Sequence, residues 1–191
     1  MSAHSTDGLS PAAKALADRV MPLVQQQLHE IQKVPIAVLI WGPNPTDTSP
    51  LAEKRRGLRT LLRGEGHWAC FSEELVDPAL PINPRIQQIC QADHFDLVVS
   101  LPGAPGSIAE IHDFVRDQTL MNKITVFVNE DFDHGYSNQS LRGSGGTNAY
   151  RVITYKTTDL HDSCGLIEQT VQLDVQALRY RKFFSERGRS I

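Results

Sequence analysis

Apolar residues recur along this chain in two alternating rhythms. Behind the helix-start pair Ser10-Pro11, residues Ala15, Val20, Leu23, Val24, Leu28 and Ile31 recur at helical spacing, which predicts a long leading helix over 10–33. The uninterrupted run Pro35-Ile-Ala-Val-Leu-Ile-Trp41 has the length of a strand buried on both faces and stops at Gly42-Pro-Asn-Pro45. Residues 50–64 set Leu51, Leu58, Leu61 and Leu62 among Lys54, Arg55, Arg56 and Arg59, an amphipathic helix with a basic face. The short run His67-Trp-Ala-Cys-Phe71 is a second strand, with Trp68 in the core. Residues 83–92 form the next helix, turning Ile86, Ile89 and Cys90 inward. Asp96-Leu-Val-Val-Ser-Leu101 is the third strand, and a helix then runs from the turn after it to about Leu120. Ile124-Thr-Val-Phe-Val-Asn129 and Tyr150-Arg-Val-Ile-Thr-Tyr155 are the fourth and fifth strands, and residues 158–187 close the chain as a helix with a break at Cys164-Gly165.

Strands that alternate with helices in this way imply a parallel sheet joined by right-handed crossovers. The expected architecture is Rossmann-like (flavodoxin-like) α/β: a five-stranded parallel sheet with helices on both faces, plus long N- and C-terminal helices. A chain of 191 residues, 40% hydrophobic, can bury one sizeable core, so 1–191 is read as a single domain with its core at 35–155. A net charge of −3 gives no overall pull toward nucleic acid. The three cysteines, Cys70, Cys90 and Cys164, form no Cys-x-x-Cys pair, which argues against a disulfide framework or a structural zinc site, and they read as small buried apolar residues. With no signal-like N-terminus and no long apolar span, a soluble cytoplasmic protein without membrane contact is expected.

In parallel sheets of this kind ligands bind beyond the carboxyl ends of the strands, where the strand order reverses. Four segments are expected at that edge: Trp41-Gly42-Pro43-Asn44, Ser72-Glu73-Glu74, the turn Pro102-Gly103-Ala104-Pro105-Gly106-Ser107, and Asn129-Glu130-Asp131. The third leaves a buried strand through glycine and proline and opens a helix, so it aims backbone N–H groups and the positive helix end at one point suited to a phosphate or sugar hydroxyl. Glu110 lies in that helix's first turn. Ser107-Ile-Ala-Glu110 is equally a capping box, in which the serine and the glutamate satisfy the helix's own N–H groups. The long polar, glycine-rich stretch 130–148 is of a length more often functional than idle. Neither the dinucleotide fingerprint nor the phosphate loop of nucleoside triphosphatases is present.

The strand ending in Gly42, the segment Phe71-Ser-Glu-Glu-Leu75 and the turn Pro105-Gly-Ser-x-x-Glu110 resemble those of nucleoside 2-deoxyribosyltransferase-like proteins, over about 35–155. The likeness is nearest to the toxin-effector branch found with bacterial retron defence systems. Phosphoribohydrolases that activate cytokinins, and the nucleotide-sensing domains grouped with them, use a related Pro-Gly-Gly-x-Gly-Thr-x-x-Glu turn. The resemblance implies that Glu110 attacks an anomeric carbon and that Gly106 and Ser107 hold the sugar or its 5′ group. Many of these transferases carry an aspartate six residues before the glutamate, where this chain has Ala104.

Another acid must then protonate the leaving base, since cleavage through an oxocarbenium-like state needs a carboxylate on one face and a proton donor on the other. Glu73 is the first candidate, with Glu74, Glu130 and Asp131 nearby. Asp47, Asp77, Asp93 and Asp96 fall where turns and caps use them. Of seven histidines, His67, His94, His112, His134 and His161 lie on different elements at no ligand spacing, so neither metal nor cofactor is expected. Lys54, Arg55, Arg56 and Arg59 read as a solvated face, with Arg55 or Arg56 in position to meet a ligand phosphate. The tail from Arg179 onward interleaves cations with Tyr180, Phe183 and Phe184, a pattern that serves a nucleic acid, an acidic partner or simply the helix dipole.

The reading that follows is an N-glycosidase or deoxyribosyltransferase-like enzyme acting on a nucleoside, nucleotide or NAD-like dinucleotide, with hydrolysis favoured over transfer. Glu110 and Glu73 are its catalytic pair, and Trp41, Gly42, Pro43, Asn44, Gly103, Pro105, Gly106, Ser107 and Asn129 line its site. A non-catalytic nucleotide sensor that signals to a partner is the alternative. The long terminal helices suit packing against a second subunit, and a homo-oligomer is expected.

Overall fold

Three helices begin on one signal, a capping side chain followed by proline. Ser10, Ser49 and Asn83 precede α1 (Pro11–Gln32), α2 (Pro50–Gly64) and α3 (Pro84–His94). Their side-chain oxygens accept the N–H groups of Ala13, Ala52 and Arg85. The proline that follows has no N–H to leave orphaned. The computed structural model describes residues 10–103, 118–132 and 150–186.

The strands are β1 (Ala37–Trp41), β2 (Trp68–Phe71), β3 (Leu97–Ser100), β4 (Ile124–Asn129) and β5 (Arg151–Tyr155). They form one parallel sheet in the order β2-β1-β3-β4-β5, the expected α/β Rossmann-like architecture. Between β3 and β4 the helical residues Gln118–Met121 (α4) are described, and Leu166–Glu186 form α5.

Alternation along the strands separates two faces. Leu39, Trp41, Val98, Ile124, Val126 and Val128 share a cluster with Ala92 of α3 and with Leu120 and Met121 of α4. The intervening residues Val38, Ile40, Val99, Thr125 and Phe127 are buried on the other face. There Phe71 lies under the guanidinium groups of Arg55 and Arg59 on α2, and the Thr125 hydroxyl bonds Asp174 on α5. Each fully buried aliphatic side chain contributes about 1.5–3 kcal/mol relative to leaving it in water.

The described residues fall into two compact units, 35–178 with the whole sheet, and residues up to 34 together with those from 179 on. In the first unit Ile167, Val171 and Val175 of α5 are buried at helical spacing. In the second, Arg179 Nε donates to the Val34 carbonyl at 3.1 Å, Phe183 is buried, and Phe184 packs against both Tyr180 and Phe183. The tail's aromatic side chains are thus used on one another. Among the described residues no helix is long and apolar enough to cross a membrane.

Several local expectations are corrected; Ile86, expected to face inward on α3, is 52% exposed. The closing helix starts at Leu166 rather than 158; Thr157–Leu160 make a single 3-10 turn, and the chain turns into the helix at Gly165. A Cβ there would lie 3.2 Å from the Asp159 carbonyl oxygen, so glycine permits the close approach. Trp68 is 71% exposed. Because Ala69 and Phe71 take the α2 face, Trp68 and Cys70 point to the other face of an edge strand, and only Cys70 is half-buried there. Cys90 and Cys164 are exposed, so the cysteines do not behave as a buried set; all three are free thiols.

His67 is buried in the loop before β2, and its Nδ1 accepts the Ile36 N–H at 3.1 Å. His67→Phe keeps an aromatic ring at this position, slightly larger than the imidazole, and leaves that N–H unsatisfied. The expected cost is about 1–3 kcal/mol, read as a lower midpoint in urea unfolding with an unchanged slope.

Candidate functional site

The strand order reverses between β1 and β3, the place at the strands' carboxyl ends where parallel α/β sheets generally bind ligands. The loops leaving these two strands touch. Leu101 N donates to the Trp41 carbonyl at 3.0 Å, and a Cβ on Gly42 would lie 3.0 Å from the Leu101 carbonyl oxygen and 3.2 Å from Arg55 Cδ. A Cβ on Gly103 would meet Leu51 at 3.4 Å and Pro43 at 3.6 Å. Gly42, Pro43 and Gly103 are therefore brought together at one point. Any larger residue at 42 must push back a strand-end carbonyl.

Arg55 organises this corner from beneath. Its guanidinium is fully buried; NH2 donates to the Ile40 carbonyl at 2.6 Å and to Glu73 Oε2 at 2.6 Å. NH1 donates to the Pro43 carbonyl at 2.6 Å, to Gly42 at 3.3 Å and to Glu73 Oε1 at 2.8 Å. Arg56 continues the clamp with bonds to the Pro45 and Asp47 carbonyls, both at 2.7 Å. Neither arginine is a solvated cation turned toward a ligand phosphate. Both draw the loop's carbonyl oxygens toward α2. The Ser49–Ala52 cap fixes where α2 starts and so places these side chains under the loop.

Glu73 enters the same corner from the turn after β2, as a bidentate partner of Arg55. Burial alone would raise its pKa, but the hydrogen bonds and charge of Arg55, with help from its own backbone and Ser72, hold the carboxyl below the usual 4.5. An ionised carboxylate of this kind is no proton donor at neutral pH, which corrects the general-acid role expected of Glu73. Glu74 is engaged as well: it accepts from Arg59 at 2.5 Å and from the Phe71 N–H at 2.9 Å.

Asn44 is exposed, and its Oδ1 accepts both the N–H and the hydroxyl of Thr46, an Asx turn that shapes the loop. Trp41 belongs to the core cluster on the α3 side of β1. Asn129, at the end of β4, accepts the Asp131 N–H at 2.9 Å and donates to Thr157 at 3.0 Å. Thr157 in turn bonds Asp131. Burial pushes the neighbouring Tyr155 phenol up to about 12, against a hydrogen bond with Asn129, and the charge of Asp131 adds to the rise. At neutral pH Tyr155 is thus a protonated hydroxyl at the carboxyl end of β5. Asp96 caps the sheet's opposite end by accepting the Ala37 N–H at 2.9 Å.

Pro105, Gly106, Ser107 and Glu110 lie outside the described residues, as do Ala104, His112 and His134. The residue that sequence reasoning underrated is Arg55. Its signal is an arginine one turn into a helix that directly follows the first strand's loop, with a double glutamate after the next strand. No family model matches the chain, and no curated protein matches it either.

Proposed function

We propose that the carboxyl end of the sheet at β1 and β3 takes the ribose-bearing part of a nucleoside, nucleotide or NAD-like dinucleotide, and that the chain cleaves its N-glycosidic bond with Glu110 as nucleophile. The observation that carries this reading is the touching pair of glycine-bearing loops at the reversal of strand order, the place where parallel α/β sheets hold such ligands. A second feature supports an anionic ligand: the carbonyls of Gly42, Pro43, Pro45 and Asp47, which would repel a phosphate, are all engaged by Arg55 and Arg56. In this scheme Glu73 positions the loop through Arg55. A carboxylate oxygen of Glu110 bonds the anomeric carbon as the C–N bond breaks and its electron pair leaves on the base, which takes its proton from water; a second water then attacks the same carbon, frees the Glu110 carboxylate and gives up its proton to solvent.

The engagement of Glu73 also favours a second reading, a nucleotide-sensing module that binds without chemistry, because the carboxyl first expected to protonate the base is held by Arg55 instead. One experiment separates the two. The full chain is incubated with a panel of nucleosides, nucleotides and NAD, and free base is followed by chromatography. Base release that Glu110→Gln abolishes is the expected result. Binding without release, unchanged in Glu110→Gln, supports the sensor instead, and neither binding nor release sinks both.

A further inference from the structure

Helix α1 is amphipathic, yet none of its residues is fully buried. Placed at 100° per residue, Leu16, Val20, Met21, Leu23, Val24 and Leu28 fall on one arc of about 160°, shared with Ala13, Ala17 and Ile31 and interrupted only by Gln27. These six are between 39% and 63% exposed. Together they leave roughly 500 Å² of largely apolar surface in water, within the range of the largest patch a monomer ordinarily shows. A helix that gains so little burial has no physical reason to keep this pattern as an isolated surface.

We infer that the α1 face is a homodimer interface in which two copies of the helix pack face to face about a two-fold axis. The area fits: a standard interface covers about 800 Å² per partner, of which roughly two thirds is apolar in homodimers. The charges fit a second copy better than a charged partner. Within Pro11–Gln32 the two cations Lys14 and Arg19 are matched by two anions, Asp18 and Glu30, and all four lie off the apolar arc. A neutral face meets its own copy without like-charge repulsion, and an isologous contact needs nothing more than such self-complementarity. A membrane surface is a poorer match, because the polar side is rich in glutamine rather than lysine and α1 holds no aromatic residue. The inference stands independently of the nucleotide reading, which concerns the other unit.

Sedimentation of the full chain across micromolar concentrations tests it, against the monomer mass of 21.3 kDa. The expected result is twice that mass for the natural chain. The Leu16→Glu/Leu23→Glu double variant should sediment as monomer, with its dissociation constant raised about 100-fold or more, because each interface would bury four unpaired carboxylates. Both substituted positions are exposed in the single chain, so its circular dichroism should be unchanged. Leu173→Glu, an equally exposed leucine on α5, should leave the dimer intact. A natural chain that is monomeric throughout this range, or a dimer indifferent to the α1 substitutions, overturns the proposal.

Discussion

Lys54→Met should lower stability by about 3–5 kcal/mol, a fall in Tm of about 10 °C or more for a chain of this size. Lys54 and Glu168 are sealed from water, their side chains only 3% and 5% exposed. The ammonium donates to both carboxylate oxygens, at 2.7 and 2.9 Å, and also to the Asp162 carbonyl. Methionine fills the space of the lysine stem but leaves the Glu168 carboxylate buried against nothing of opposite charge, and the cost is that of desolvating an unpaired anion. The double variant Lys54→Met/Glu168→Met removes both charges and should recover most of the loss, since a buried pair gains little over apolar groups of similar volume. Urea unfolding of the four proteins closes the cycle. A single substitution costing under about 1 kcal/mol would show that water reaches the pair.

The pair also marks a limit of the sequence. Lys54 and Glu168 are 114 positions apart, and nothing local at Lys54 distinguishes it from the partly exposed Arg59 on the same basic stretch. What was legible was periodic: the apolar runs that became β1, β3 and β4, the serine-proline start of α1, and from these the parallel sheet. Such signals are carried by a residue and its near neighbours, so they survive without knowledge of the fold. The tryptophans show where this stops. Trp41 and Trp68 both sit on strands, but one belongs to a central strand covered by α3 and α4 and the other to an uncovered edge, and strand order is not written in either segment. The glycine loops at 42 and 103 were legible as turns at the strands' carboxyl ends because their residue types follow from the turn itself, and the structure brings the two together. Arg55 and Glu73 were each named, but in the wrong roles, because the charge of each is cancelled by the other across an element boundary.

That pairing gives the second large effect. Arg55→Met should cost about 3–5 kcal/mol, because it strands the carbonyls of Ile40, Gly42 and Pro43 together with a carboxylate. Arg55→Lys should rescue only part of this, since an ammonium cannot reproduce the fork that spans Glu73 and the strand end. Glu73→Gln should cost less, about 2–3 kcal/mol, because 47% of its side chain still meets solvent while Arg55 is left fully buried. The pH dependence separates this structural role from a proton donor's. Since Arg55 holds the folded carboxyl below 4.5, the pair's contribution is fully present above the unfolded carboxyl's range and is lost as pH falls through the lower folded value. The Tm difference between the natural chain and Glu73→Gln should therefore be constant from pH 8 to about 6 and shrink below about 4.5. A general acid would behave otherwise: its carboxyl, held protonated, would favour the folded state at low pH, and the Tm gap would widen there. A gap that grows on acidification, accompanied by lost base release at unchanged Tm near neutrality, would return Glu73 to the chemistry and take Arg55 out of the role assigned to it here.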